Sequence, residues 1–341
     1  MRLLLLCLCL LWPFAVVAQD ENSDRGYIQG LLEDALSNDN MTVRLEGFRG
    51  ALSSRATVDR ITIADPQGVW LEAANVALQW NRSDLLRGRV EIQEISMDTM
   101  SLPRLPSAPS ETPAPEARSA FALPDLPVAL ILEQLQVDTV ELGEAVIGEA
   151  AQLRVTGSAS LQGGEGQAEL NIERLDRGGQ IALTGSYSNG TRVLGLDLSV
   201  EEPEGGLAVS LLGVPGEPSL ALTLQGNAPI DDFEAELTLA TDGTERLAGT
   251  VILRADGNED TRRFRMDVAG DVASLVAPQY REFLGDSVSM TAEVLQQADG
   301  ATELSELELS AEALRLTGYA RIGADGWPER LDLQGGITPP Q

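Results

Sequence analysis

Asp59, Asp65 and Glu72 come closest to a chemical cluster in this sequence. Carboxylates at such spacing are the raw material of general acid–base catalysis or of a calcium site. Acids make up 53 of the 341 residues, so groupings of this kind arise by chance, and no EF-hand or calcium-repeat spacing accompanies these three. They read as solvated residues on an outer face. Other chemistry is excluded by what is missing. The chain has no His, its 24 basic residues are all Arg, and its two thiols, Cys7 and Cys9, sit in an N-terminal apolar run. Imidazole shuttles, nucleophile–His pairs, Schiff bases, P-loop lysines and Cys/His zinc sites are therefore ruled out. Gly47 and Gly50 read as bulge or turn glycines, since no Lys or G-x-G-x-x-G helix start follows. Trp70 and Trp80 have the shape to stack on a ligand, but core packing is the commoner role at strand positions. Asn81-Arg82-Ser83 and Asn189-Gly190-Thr191 match glycosylation sequons. No catalytic residue, metal or cofactor is expected, and the protein is expected not to be an enzyme.

The net charge of −29 speaks against nucleic acid, which needs clustered basic side chains, and against electrostatic docking on anionic membranes. Residues 1–18 have the order of a signal peptide or signal anchor: Met1-Arg2, an apolar run from Leu3 to Trp12, then Val16-Val17-Ala18 as a cleavage site. Export follows, and the remainder of the chain has no cysteine to oxidise.

The elements that would carry these residues are almost all strands. Ser23 as N-cap and Tyr27, Ile28, Leu31, Leu32 and Ala35 at helical spacing predict one helix that stops near Asn38 and Asn40. From Val43 onward apolar and polar residues alternate almost to the end, which predicts roughly 15 strands with one apolar and one polar face each. Leu207, Val209 and Leu211 belong to that series. Gly163-Gly164, Gly178-Gly179, Asn189-Gly190, Gly205-Gly206, Asp242-Gly243, Asp256-Gly257, Asp299-Gly300 and Asp325-Gly326 mark tight turns between antiparallel neighbours. Phase shifts between Ile92 and Ile95, and between Leu132 and Leu135, predict bulges. The proline-rich stretch 103–127 reads as a linker or exposed loop, dividing a first segment, 19–102, from a second, 128–341; Ser274 to Gly285 reads as a helical crossover.

So wide a sheet must curl, split or close. Folded into a sandwich or barrel it has a dry core; curled, it leaves an apolar trough open along one side. The inward set is Leu and Val with few aromatics, a lining that suits acyl chains but is more commonly plain core. Pattern alone leaves both open.

A resemblance bears on the choice. The helix Asp24–Glu33, the strand and turn Val43–Ser54, Ile61–Asp65, Gly68-Val69-Trp70-Leu71 and Trp80–Gly88 follow one another in the order of the AsmA-like, bridge-like families. Over about 20–105 they resemble the N-terminal region of the TamB family (translocation and assembly module subunit), in its alphaproteobacterial form. The resemblance implies a long, twisted antiparallel sheet curled into a taco-like hydrophobic groove, behind a short N-terminal helix. It implies a periplasmic protein associated with or anchored in the inner membrane, conducting phospholipid towards the outer membrane. It also implies a role in outer-membrane protein assembly and secretion, with an Omp85-type, TamA-like barrel as partner through a region absent here. On that reading the acyl chains lie against Val43, Leu45, Ile61, Ile63, Leu78, Trp80, Val90, Ile92, Leu183, Leu196, Leu198, Leu222, Leu224, Leu237, Leu239, Val251 and Leu253. The acids, alternating with these, would coat the opposite face. The alternative is a secreted, adhesin-like β-solenoid with a dry core.

Overall fold

The computed structural model describes residues 21–38, 40–50, 54–85, 88–107, 122–124, 126–255, 261–297, 300–324 and 326–338. The signal region, most of the proline-rich stretch and the Asp256-Gly257 turn lie outside them. The described residues hold seventeen strands, so the mainly-β expectation holds. The chain divides into two compact units, Met1–Glu111 with Leu132–Val155, and Thr112–Ile131 with Thr156–Gln341.

In the first unit, α1 (Glu21–Leu36) precedes β1 (Thr42–Glu46), β2 (Arg55–Asp65), β3 (Gly68–Trp80) and β4 (Arg89–Leu102), which pair antiparallel in sequence order. The helix covers Glu21–Leu36, so Ser23 lies inside it and is not its N-cap. It guards the free edge of β1, as an unpaired strand edge requires. Leu45 N donates to Glu33 Oε1 at 2.7 Å, Val43 N donates to Ser37 Oγ at 2.9 Å, and Gln29 Nε2 donates to the Leu45 carbonyl at 2.5 Å. Val43, Leu45 and Val58 form a buried cluster with Leu32, Met41, Phe48, Ile61, Ile63 and Val76 around them. Val58 and Ile61 are three apart yet join one cluster. Opposite them Asn75 takes a positive φ of 54° and donates from Nδ2 to Asp98 Oδ2 at 2.8 Å.

The bulge predicted in β4 is present. Gln79 pairs with Glu94 and Trp80 with Ile92, so Gln93 is the extra residue and Ile92 and Ile95 keep one face. In β5 (Ala129–Leu142) Glu133 and Gln134 are both exposed where the second shift is expected. Between β3 and β4 a single turn, α2 (Arg82–Leu85), is capped by Asn81, whose Oδ1 accepts from Ser83 N at 3.2 Å and Oγ at 2.7 Å. After β5 comes α3 (Glu144–Ile147), then β6 (Ala151–Gln162).

The second unit continues with β7 (Glu165–Arg174), β8 (Gln180–Ser188), β9 (Val193–Glu202), α4 (Leu207–Leu211), β10 (Leu220–Pro229), β11 (Asp232–Thr241), β12 (Thr244–Ala255) and β13 (Arg262–Gly270). Two 3-10 turns and α5 (Arg281–Leu284) lead to β14 (Val288–Gln296), β15 (Thr302–Ser310), β16 (Leu314–Ile322) and β17 (Pro328–Ile337). Each strand from β7 to β17 pairs antiparallel with the next. Asp242 and Gly243, at φ 50° and 70°, make the tight turn predicted there.

Three expectations need correction. Leu207, Val209 and Leu211 are on helix α4, because five alternating residues fit either element, and Gly205-Gly206 is no tight hairpin turn, since Gly206 is the N-cap of that helix within a long connection. Residues 274–285 are no crossover. The strands on either side, β13 and β14, pair directly, so the segment is an enlarged hairpin loop.

Candidate functional site

Strand register decides which side chains share a face, since directly opposed residues point the same way. Across the second unit one row runs Leu170, Leu183, Leu198, Leu224, Leu237, Gly249, Val268, Met290, Leu309, Leu316. A parallel row runs Ile172, Ile181, Val200, Leu222, Leu239, Leu247. On the other flank lie Ala168, Gly185, Leu196, Gly226, Ala235, Val251, Met266, Ala292, Leu307. The three rows make a continuous aliphatic face. Leu196 to Val200 spans about 13 Å along a strand, at about 3.3 Å per residue.

The leucines of that face are neither buried nor fully exposed, while Ala235 and Val268 are buried and Ile181 is exposed. Leu183, Leu196, Leu198, Leu222, Leu224, Leu237, Leu239, Val251 and Leu253 are all half-buried. Among the described residues the only buried leucine is Leu45. Leu is one of the residues most often fully buried in a packed core. The face is walled at both ends of the strands. At one end Tyr187, Ile230 and Phe233 are buried, and a Cβ at Gly226 would lie 2.7 Å from the Phe233 ring. At the other end α4 stands on the same face: Glu202, in line with Leu198 and Val200, accepts from Ala208 N at 2.9 Å, and Val209 is 0% exposed.

The opposite face carries Glu169, Thr184, Asp197, Thr223, Glu236, Thr250, Asp267 and Glu308. On the aliphatic face of these strands the charged residues are Arg174, Glu202 and Arg262, each at a strand end. On the polar face, β13–β15 hold an ion-pair network. Arg265 Nε and Nη1 contact Asp267 at 2.8 Å and Glu306 at 2.9 Å, and Arg263 Nη1 reaches Glu293 at 2.7 Å. The Arg265 hydrogen bond holds the Asp267 carboxyl below its ordinary range. Burial pushes Glu293 up, but hydrogen bonds from Ser305 and Arg263 outweigh it and the net shift is down.

In the first unit, Val43 pairs with Ile63, Leu45 with Ile61, Ala56 with Leu78 and Trp80 with Ile92. Val43 and Leu45 are buried in the cluster beside α1, whereas Ile61, Ile63, Leu78, Trp80, Val90 and Ile92 are half-buried. Trp70 is the extra residue of a bulge opposite Ile63 and Ala64, and is half-buried.

The three carboxylates do not converge. Asp59 pairs with Arg49, Glu72 with Arg60 at 3.2 Å, and Asp65 with Arg104, whose Nη2 and Nη1 donate at 2.6 and 2.8 Å. Gly47, at φ 69°, has no room for a Cβ against the Asp59 carboxylate. Asp65 also accepts from Gln67 N at 2.8 Å within its own turn, and from Ser107 N and Oγ at 2.8 and 2.7 Å. These bonds, Arg104 foremost, hold its carboxyl far below the usual carboxylate range. One end of the proline-rich stretch is thus tied to the β2–β3 turn. Residues 122–124 are held in the second unit, where Leu123 N donates to Asn189 Oδ1 and Asn189 Nδ2 to the Leu123 carbonyl, both at 2.8 Å. Both sequon asparagines, Asn81 and Asn189, therefore spend their side chains inside the fold. These long-range ties leave no local signal in the sequence.

A depressed carboxyl contributes stability above its unfolded pKa and loses it as pH falls. The stability gap between the parent and Asp65→Asn is therefore expected to be largest at neutral pH and to shrink below about pH 4, the unfolded Asp value. Urea unfolding at pH 7 and pH 3 measures it; a gap independent of pH would contradict the assignment.

No group of three or more metal-ligand side chains occurs among the described residues, and none of their helices is long and apolar enough to cross a membrane. No curated protein and no solved structure matches the chain. A family model described as "YdbH-like: Intermembrane phospholipid transport protein YdbH" matches residues 3–213, well over half of the chain. That match supports the wider group implied by the motifs of the first unit, and the chain belongs to the YdbH-like family, within the AsmA-like, bridge-like lipid-transfer proteins.

Proposed function

We propose that this protein carries phospholipid between membranes by letting acyl chains lie along the aliphatic face of its sheet, without bond chemistry. The observation that carries the reading is the half-burial of every leucine on that face in a chain that, among its described residues, buries a single leucine. A dry sandwich or solenoid core would take those leucines out of water. An acyl chain on this face exchanges one apolar surround for another, at ~0.8 kcal/mol per CH₂ otherwise wetted. Along each row similar side chains recur at the strand spacing of about 4.8 Å, so a chain moving across strands meets no deep trap. The headgroup trails in water. In this reading Val43, Leu45, Ile61, Ile63, Leu78, Trp80, Val90 and Ile92 are a lining of the same kind within the first unit, Val43 and Leu45 lying beside its helix.

The site of action is the periplasm, with the N-terminal apolar run holding the chain at the inner membrane. The TamB-like pairing with an Omp85-type barrel, and a part in outer-membrane protein assembly and secretion, extend the proposal on the motif resemblance over about 20–105. The test is solvent extraction of the purified chain. At least one phospholipid per chain is expected, and a lipid-free protein would refute the reading.

A further inference from the structure

Antiparallel alternation puts the β9–β10 and β13–β14 connections at the same ends of the strands in the second unit. They are its two enlarged loops, four strands apart, or about 19 Å along this rim at about 4.8 Å per strand. Each presents apolar side chains to solvent. Leu211 and Leu212 are 67% and 76% exposed, on a turn of helix anchored by the fully buried Val209 and capped by Glu202. Tyr280 and Phe283 are 56% and 40% exposed, on a segment fastened by Ala313 N to the Phe283 carbonyl at 3.0 Å and Glu312 N to the Leu284 carbonyl at 3.2 Å. Both tips are thus held out by structure that is itself packed. The face described above does not include them.

Charge and size limit what these tips meet. Residues 203–219 and 271–287 hold one Arg, Arg281, against Glu204, Glu217, Asp271, Glu282 and Asp286. That rim repels polyanions and anionic bilayers. Two pairs of side chains on separate loops offer far less than the roughly 1,000 Å² of a specific protein interface. A lipid surface, by contrast, accepts isolated apolar tips, and Tyr suits the headgroup boundary with an apolar ring and a polar end. We propose that this rim docks on a zwitterionic lipid surface, with Leu211, Leu212, Tyr280 and Phe283 entering its headgroup layer. The docking stands apart from lipid carriage on the sheet, because the rim and the face use different residues.

A site-resolved probe tests it on the full chain, unaffected by the N-terminal apolar run. With Cys7 and Cys9 changed to Ser, Leu212→Cys is labelled with an environment-sensitive nitrobenzoxadiazole dye. Addition of phosphatidylcholine vesicles is expected to raise its emission about threefold, with the same label at Thr223→Cys, on the polar face, unchanged. Tyr280→Ser with Phe283→Ser is expected to weaken the response at 212 several-fold while leaving lipid extracted from the sheet unaltered. No rise at 212, or a rise only with anionic vesicles, overturns the proposal. A rise with protein concentration in the absence of vesicles also overturns it, as self-association. Loss of extractable lipid in Leu198→Asp with the 212 response intact separates failure of the face from failure of the rim.

Discussion

Leu198→Asp, alone or with Leu224→Asp, is expected to lower the phospholipid recovered with the chain about 30-fold while leaving the fold in place. The two leucines oppose each other on β9 and β10, in the middle row of the aliphatic face. A carboxylate there holds its water, and an acyl chain crossing it loses the contacts of two or three methylenes. At ~0.8 kcal/mol each this is about 2 kcal/mol, or about 30-fold in occupancy. Covering the charge would cost still more. The empty protein tolerates the change, because both positions are half-exposed and the carboxylate stays hydrated. A stability loss within about 1 kcal/mol is expected from urea unfolding. Thr223→Asp, on the opposite face between them in sequence, is the control and should retain lipid. Equal lipid recovery from all three would remove the face from the account.

Leu45→Ala is expected to have the opposite signature: a large stability loss with no charge introduced. Leu45 is the buried leucine of the cluster that α1 and β1–β3 share, and its backbone is bonded to both Gln29 and Glu33 of the helix. Truncating it removes buried methyl groups and leaves a cavity under a helix held by few other contacts. Leu→Ala losses in cores run to about 2–5 kcal/mol. The first unit should unfold at a clearly lower urea concentration, read by far-UV circular dichroism. A loss below about 1 kcal/mol would mean that α1 does not seal this end.

Much of this was legible in the residues. Most strands from β7 to β17 keep a period of two over nine or more residues and many are punctuated by Gly pairs or Asp-Gly, so their faces follow from spacing; β15 shifts phase at Ser305. The bulge at Gln93 showed as a phase shift between Ile92 and Ile95. Short segments were less informative. Leu207 to Leu211 alternates for five residues, too few to separate strand from helix, and the deciding contact is a cap from Glu202. The switch beside Asn75 rests on one positive φ that no periodicity announces. Asp65 was visible as an acid in a turn motif, but its partners Arg104 and Ser107 lie about 40 residues on, beyond the reach of local pattern. Alternation also cannot tell an open apolar face from a packed one, because both place Leu at every second residue. Side-chain exposure separates them, and it exists only once the strands are paired.

The central claim is that lipid contacts one face of the sheet and not the other. A photo-crosslinking scan along β9 and β10, with benzoyl-phenylalanine at each position and radiolabelled phospholipid as acceptor, tests it most directly. Labelling at positions 196, 198, 222 and 224 is expected to be strong, and at 197, 199 and 223 weak, so that yield alternates with the strand period. Uniform labelling, or a maximum at 197 and 223, would contradict carriage on the aliphatic face.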